Sequence, residues 1–205
     1  MTTITTDFPF DARKAAQVAA FFLIKARDRG ANVTILKLMK LMYLAERESY
    51  KRYAEPMIGD ALVSMPHGPV LSSTLNLINS APEERQGGEH WDEMISERDG
   101  RDLSLRGDAP IQQTKDLLDL SESDVEILGE IWDQFGKISA VKLRNYTHDA
   151  ANCPEGEDPN GSSIPISLET LLRSMGYSTE AVHTVCDNLR KAATVQQKLQ
   201  RNISF

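Results

Sequence analysis

The segment of residues 35–53, "ILKLMKLMYLAERESYKRY", constrains the fold more than any other stretch of this chain. At about 100° per residue, its apolar side chains fall on one broad arc, as in an amphipathic helix that faces a protein core. The arc consists of Ile35, Leu38, Met39, Met42, Ala45, Tyr50 and Tyr53. Thr34 has the side-chain oxygen of a helix N-cap. The sequence therefore predicts a helix that begins after Thr34 and ends near Tyr53.

Basic side chains of the same helix lie opposite this apolar arc. They are Lys37, Lys40, Arg47 and Lys51. One interpretation is a basic flank that faces solvent, and the other is a cationic strip that binds an acidic partner. Glu48 lies near these residues and can neutralise part of their charge through helical pairing. Both interpretations place the basic side chains on the surface.

Glu46 is unusual because it projects near the middle of the apolar arc. A buried carboxylate needs a hydrogen-bonding or charged partner, or it becomes protonated. We expect either a pair with a tyrosine hydroxyl or a cation at the helix edge, or a polar group that lines a pocket.

The segment that follows the helix, "ALVSMPHGPVLSSTLNLI", contains a predicted sharp turn. Residues 61–65 read as a short strand, and Gly68 and Pro69 are the residue types that reverse a chain. We expect Val70 to begin a helix that runs to about Ile78. His67 precedes the turn, where its ring either packs on the strand or contacts a partner.

The remaining elements follow from caps and periodicity. Asp11 can cap a first helix from about Ala12 to Arg29, which Gly30 ends. Further predicted helices run from Ser121 to about Phe135, from Ser139 to about Thr147, from Ser167 onward, and from Ser178 to about Leu199. The stretch "HWDEMISERDGRDLSLRG" predicts a hairpin that turns at Asp99-Gly100, with the acidic run "SERDGRD" as a solvated tip. Trp91 in this stretch is either a core residue or an exposed binding anchor. The predicted fold class is α+β, mostly α-helical, with a small antiparallel sheet or hairpin.

Length and composition indicate an ordinary soluble protein. At 205 residues we expect a single domain, with an N-terminal arm over 1–10, a core over 11–154 and a helical extension over 155–205. The net charge of −7 argues against nucleic-acid binding and favours a basic partner. There is no membrane-spanning run and no export signal, and the two cysteines fit a reducing compartment, so we expect a cytoplasmic location.

Histidine and cysteine spacings do not predict a catalytic or metal site. His183 and Cys186 supply two ligands on one helix, which is too few for zinc. Cys153 and His148 do not form a convincing nucleophile and base, because the loop around Cys153 is acidic. His148 ends a predicted helix, where an imidazole can satisfy free carbonyl groups. We expect no cofactor, no metal and no enzymatic activity.

The combination "KLMKLMYLAERESY", "MPHGPV" and "YTHDAANCP" resembles the Panacea antitoxin domain, also described as SocA-like or GepA-like. The similarity extends from about Leu36 to Pro154. The matching positions are Lys37, Leu38, Lys40, Leu41, Tyr43, His67, Gly68, Pro69, Val70, Thr147 and His148. One departure is that "CPE" stands where the family often has proline followed by tryptophan.

The resemblance implies an antitoxin that neutralises a cognate protein toxin, encoded by the adjacent gene of a bacterial or phage toxin–antitoxin system, by direct contact. In SocA-like members it also implies delivery of a toxin to a housekeeping protease, for which the C-terminal "QQKLQRNISF" is a candidate docking segment. A third hypothesis is a hydrolase or transferase around His67, Glu46 and His148. Homo-oligomers fit any of these hypotheses.

The expected partner surface combines the predicted basic residues of the helix with the turn. Its residues are Lys37, Lys40, Tyr43, Arg47, Lys51, His67, Gly68, Pro69, Val70 and His148.

Overall fold

A computed structural model describes residues 8–85 and 87–203 of the chain. The α-helices are α1 Ala12–Arg27, α2 Ile35–Tyr53, α3 Ser72–Asn79, α4 Glu89–Met94, α5 Glu122–Phe135, α6 Ala140–His148, α7 Leu168–Ser174 and α8 Thr179–Ile203. The strands are β1 Val33–Thr34, β2 Leu62–Ser64, β3 Val70–Leu71, β4 Asp102–Leu103 and β5 Ile164–Pro165. The predicted class, mostly helical α+β with small antiparallel sheets, is confirmed.

α2 is the central element of this fold. It packs against α1, α5, α6, α7 and the strand β3. Buried residues lie on all sides of it between Leu38 and Ala45, without the gap that a solvent-facing side would leave. A helix that is enclosed in this way is a core helix rather than a surface one. The predicted start and end of α2 are confirmed, and Thr34 caps it by accepting a hydrogen bond from Lys37 N.

The other predicted caps are also found. Asp11, Ser121, Ser139 and Ser167 each accept a hydrogen bond from a backbone N–H of the first turn of α1, α5, α6 and α7. Ser121 and Asp124 form a reciprocal capping box. α1 ends at Arg27 rather than Arg29, because the chain turns through Gly30, which has a φ of 64°.

Val70 does not begin a helix, so that prediction was wrong. Val70 and Leu71 form β3, which pairs antiparallel with β2 in the register Val63↔Val70 and Leu62↔Leu71. β5 pairs with the other edge of β2. α3 therefore starts at Ser72, and the carboxylate of Asp60 accepts hydrogen bonds from its first-turn amides.

The predicted hairpin is only partly present. Asp99 and Asp102 exchange backbone hydrogen bonds across Gly100, which has a φ of 59°. Ile95 and Leu105 form one further antiparallel bridge, but residues 89–94 form the helix α4 rather than a strand, and Trp91 on α4 is a core residue with 1% exposure. The second half of the hairpin continues as β4, which pairs with β1 at the start of α2.

The segment after residue 155 contributes to the same core. Ile166, Leu168, Leu171 and Leu172 belong to the hydrophobic cluster that includes α2. The division into arm, core and extension stays a prediction, and residues 1–7 of the arm lie outside the described residues. Over 8–85 and 87–203, the helices are too short or too polar to cross a membrane.

We predict that Gly68→Val lowers the free energy of unfolding by about 1–3 kcal/mol. Gly68 has a φ of 80°, and a Cβ there would meet Lys40 Nζ at 3.2 Å. The control is Gly107→Val, because a Cβ at Gly107 meets nothing within 4 Å. Chemical denaturation measures both variants. Equal stability of the two would contradict the strain at Gly68.

Candidate partner-binding site

Lys40 does not belong to a surface strip, contrary to the prediction. Its side chain is 0% exposed, and Nζ donates a 2.7 Å hydrogen bond to the carbonyl oxygen of Pro69. Burial, opposed by the neighbouring Cys153 and reinforced by Arg144, lowers the pKa of Lys40 to about 7. Lys40 therefore holds the turn in place from inside the core.

Arg47 is also removed from the predicted strip. Its Nε donates a 2.7 Å hydrogen bond to Glu155, whose side chain is fully buried. Tyr43, 0% exposed, donates its hydroxyl to the same carboxylate, and Ser174 of α7 donates to Glu155 Oε2 at 2.9 Å. Burial raises the pKa of Glu155, but the hydrogen bonds from Arg47 and Tyr43 outweigh this effect and lower it overall.

The last two members of the predicted strip are engaged as well. Lys37 Nζ donates to the carbonyl oxygen of Gly136 at 2.7 Å, and burial followed by the charge of Arg29 lowers its pKa. Lys51 is exposed and lies 3.6 Å from Glu48, as the helical spacing predicts. The four basic side chains therefore do not form a continuous cationic surface.

Glu46 has partners that neither expectation named. Its side chain accepts hydrogen bonds from the backbone N–H groups of Met57, Ile58 and Gly59 at 2.9–3.1 Å. Burial raises its pKa to about 7, with the three backbone hydrogen bonds acting in the opposite direction. Glu46 is thus a structural anchor for the loop after α2.

The turn at residues 67–70 is only partly exposed to solvent. Gly68, Pro69 and Val70 are buried, whereas His67 is exposed beside them. His148, at the end of α6, is exposed and lines a small cavity together with Gly68 and Pro69. The structure therefore places the Gly-Pro turn, with His67 directly before it, next to His148.

An apolar groove with a volume of about 720 Å³ opens next to His67. The apolar side chains that line it are Ile35, Leu36, Met39, Met65, Pro66, Val70, Leu75, Ala140 and Val141. The polar ones are Thr34, His67, Asn79, Arg98 and Arg101. The groove thus lies between the start of α2, the turn, α3, the hairpin tip and the start of α6. Its size is that of a typical binding cavity.

The groove continues along α6. Val141, which is 54% exposed, lines the groove. Arg144, Asn145 and His148 follow on the same side of α6 at helical spacing, and they line a second cavity of about 380 Å³. Pro66 borders both cavities. We call the groove and this face of α6 together the turn surface.

Sequence reasoning missed two parts of this arrangement. Glu155 lies in a loop without periodicity, so nothing in the sequence indicated a buried partner for Arg47. Arg98 and Arg101 are exposed, as expected for a hairpin tip, but the pairing of β4 with β1 brings that tip to the groove. Only the number of basic residues in "SERDGR" could have drawn attention to it.

The described residues offer little for catalysis. Over 8–85 and 87–203, no group of three or more His, Cys, Asp or Glu residues is placed to hold a metal ion. Burial raises the pKa of Cys153 to about 12, which disfavours a reactive thiolate. Glu46 is 1% exposed and bound to backbone amides, so its carboxylate is not presented together with His67 and His148.

The family model of the antitoxin SocA-like Panacea domain matches residues 38–152. The chain belongs to this family. The match covers more than half of the chain and includes the turn, α6 and most of α2. No curated protein and no solved structure matches the chain. Family membership indicates an antitoxin-type role rather than an enzymatic one.

We predict that Glu155→Ala lowers the free energy of unfolding by about 3–5 kcal/mol, because it leaves the partly buried Arg47 and the buried Tyr43 without their acceptor. The matched control is Glu157→Ala, which removes an exposed carboxylate from the same loop. Urea denaturation measures both. A loss of less than 1 kcal/mol in Glu155→Ala, or equal losses in both variants, would contradict the role of Glu155.

We predict that the free energy of unfolding depends on pH through the protonation of Lys40. Its pKa of about 7 lies below the ordinary lysine value of 10.5, so between these values the unfolded chain binds more protons and stability rises with pH. Between about pH 7 and 8.5, Lys40 should add up to about 2 kcal/mol to the free energy of unfolding. Lys40→Met should remove this rise, whereas Lys142→Met, at an exposed lysine, should keep it. A rise that persists in Lys40→Met would refute the assignment.

Proposed function

We propose that this chain is an antitoxin that binds the protein toxin encoded beside it and suppresses its toxicity by occluding it. The observation that carries the proposal is the open apolar groove next to His67, within a chain of the antitoxin SocA-like family. An antitoxin that acts by contact needs an apolar surface that is exposed in the free protein. The groove supplies such a surface.

The partner surface that we propose differs from the one predicted from sequence. His67, His148 and the exposed side of α6 contact the toxin directly. The other predicted residues act indirectly, because they support the turn from inside the fold. Lys40, Tyr43, Gly68, Pro69 and Val70 are buried, and Arg47 is partly buried against Glu155. Lys37 and Lys51 are engaged with Gly136 and Glu48, so we give them no direct role.

The groove alone is smaller than a neutralising interface. A stable protein–protein interface buries on the order of 1,200–2,000 Å² in total, or about half of that on each partner. The turn surface, which adds the α6 face to the groove, is the continuous area from which such an interface can be built. We propose that complex formation takes place in the cytoplasm and involves neither nucleic acid nor a cofactor.

The second candidate function is an adaptor that delivers the toxin to a protease. The observation that favours it is α8, whose side chains Val195 and Leu199 are each 57% exposed and available for docking. We rank it second because neutralisation by contact needs only the turn surface.

We predict that co-expression with the adjacent gene product rescues growth, and that the two proteins purify together, in a host that lacks its main ATP-dependent proteases. Rescue that occurs only when the proteases are present would favour the adaptor. Absence of both rescue and complex would refute the antitoxin function.

A further inference from the structure

We propose that the groove binds an acidic amphipathic segment of the toxin, in which apolar side chains enter the groove and neighbouring carboxylates meet its basic rim. This inference rests on the proposed function and identifies the chemistry of the partner. The net charge of the chain, −7, by itself favours a basic partner, so the preference for an acidic segment has to come from the residues around the groove.

The arginines of this chain differ in whether they pair with a carboxylate of the same chain. Nine of the arginines with described side chains form ion pairs within the chain, for example Arg47 with Glu155 and Arg52 with Glu130. Among the described arginines, those outside this set are Arg98, Arg101 and Arg144. Arg98 and Arg101 line the groove, and Arg144 lines the adjoining cavity beside His148. The arginines left without an internal carboxylate therefore lie on one surface.

Acidic residues are placed differently. Among the residues that the structure describes, no carboxylate lines the groove, and the ionisable side chains there are Arg98, Arg101 and His67. Asp99 lies between the two arginines in sequence and is exposed, but it does not line the groove. Asp149 lines the adjoining cavity with Arg144, so the basic excess is strongest at the hairpin side of the groove.

We call the apolar bottom of the groove its floor and the arginines at its edge its rim. The floor and the rim differ in polarity as the centre and the edge of a protein–protein interface do. The floor is apolar and partly made of buried side chains such as Met39 and Val70. The rim consists of guanidinium groups, which pair with carboxylates in a bidentate manner and are enriched at interfaces. An acidic amphipathic segment complements both parts, whereas a basic segment would place like charges together.

The test uses the full chain and the purified product of the adjacent gene. Arg98→Glu/Arg101→Glu should slow association by on the order of tenfold at low salt, with a smaller difference at high salt. The control Lys115→Glu/Lys191→Glu makes the same change in net charge at exposed lysines away from the groove. Arg98→Gln/Arg101→Gln should give an intermediate rate without adding carboxylates to the hairpin. Thermal melts establish that each variant is folded.

The apolar part of the proposal is tested at Val141. Val141→Asp should weaken binding by at least about tenfold. The control Val125→Asp places the same change at a 38% exposed valine of α5. A photo-crosslinking benzoylphenylalanine at position 141 should capture a toxin peptide that contains apolar residues next to Asp or Glu.

The outcomes separate this inference from the proposed function. If the wild-type complex forms but the groove variants behave like their controls, the groove proposal fails and the antitoxin function stands. A captured peptide that is basic, or a free chain whose dimer is broken by Val141→Asp, also overturns the proposal. If the wild-type chain and the adjacent product form no complex, the proposed function fails and this inference falls with it.

Discussion

The buried carboxylate of Glu155 joins parts of the chain that are distant in sequence. It accepts hydrogen bonds from Tyr43 and Arg47 on the central helix and from Ser174 on α7. This fixes the loop that leads to β5, and the same loop places Gly156 against Pro69, since a Cβ at Gly156 would lie 3.5 Å from the proline ring. The turn is thus held by this loop on one side and by Lys40 beneath it. The position of the groove follows from these contacts, because the turn is one of its walls.

Burying charged groups in this way favours one arrangement of the chain over the alternatives, but it adds little to the free energy of unfolding. A buried ion pair recovers little beyond its desolvation cost, but a wrong arrangement that leaves one member alone is strongly disfavoured. Lys40 bonded to Pro69 and Glu46 bonded to the amides of residues 57–59 follow the same logic. Each ties α2 to a segment that has no regular hydrogen bonding of its own to the helix. A rigid turn follows, and a rigid binding surface loses less entropy when a partner binds.

Local sequence signals predicted most of the fold and little of the site. Caps and periodicity located α1, α2, α5, α6, α7 and α8, because these signals depend on residues a few positions apart. The basic strip failed because a helical projection assigns polar residues to solvent, whereas α2 is enclosed and Arg47 and Lys40 meet distant protein groups instead. β3 was missed because two residues carry no periodicity, and its pairing with β2 is set by the turn. The groove has walls from five separate segments, and their meeting is a tertiary property that spacing does not encode.

The division of the groove into floor and rim has a consequence for partner choice. Floor residues such as Met39 and Val70 also belong to the core, so substitutions there lower the free energy of unfolding. The rim residues Arg98 and Arg101 and the apolar lining residue Val141 are exposed, and substitutions at such positions usually change stability by less than about 0.5 kcal/mol. Screening limits the influence of distant charges to about 8 Å at physiological ionic strength, so the rim rather than the net charge sets the local preference. A fold built in this way can keep its groove while the exposed residues at its edge change, so the charge of the groove edge and the stability of the fold can vary independently.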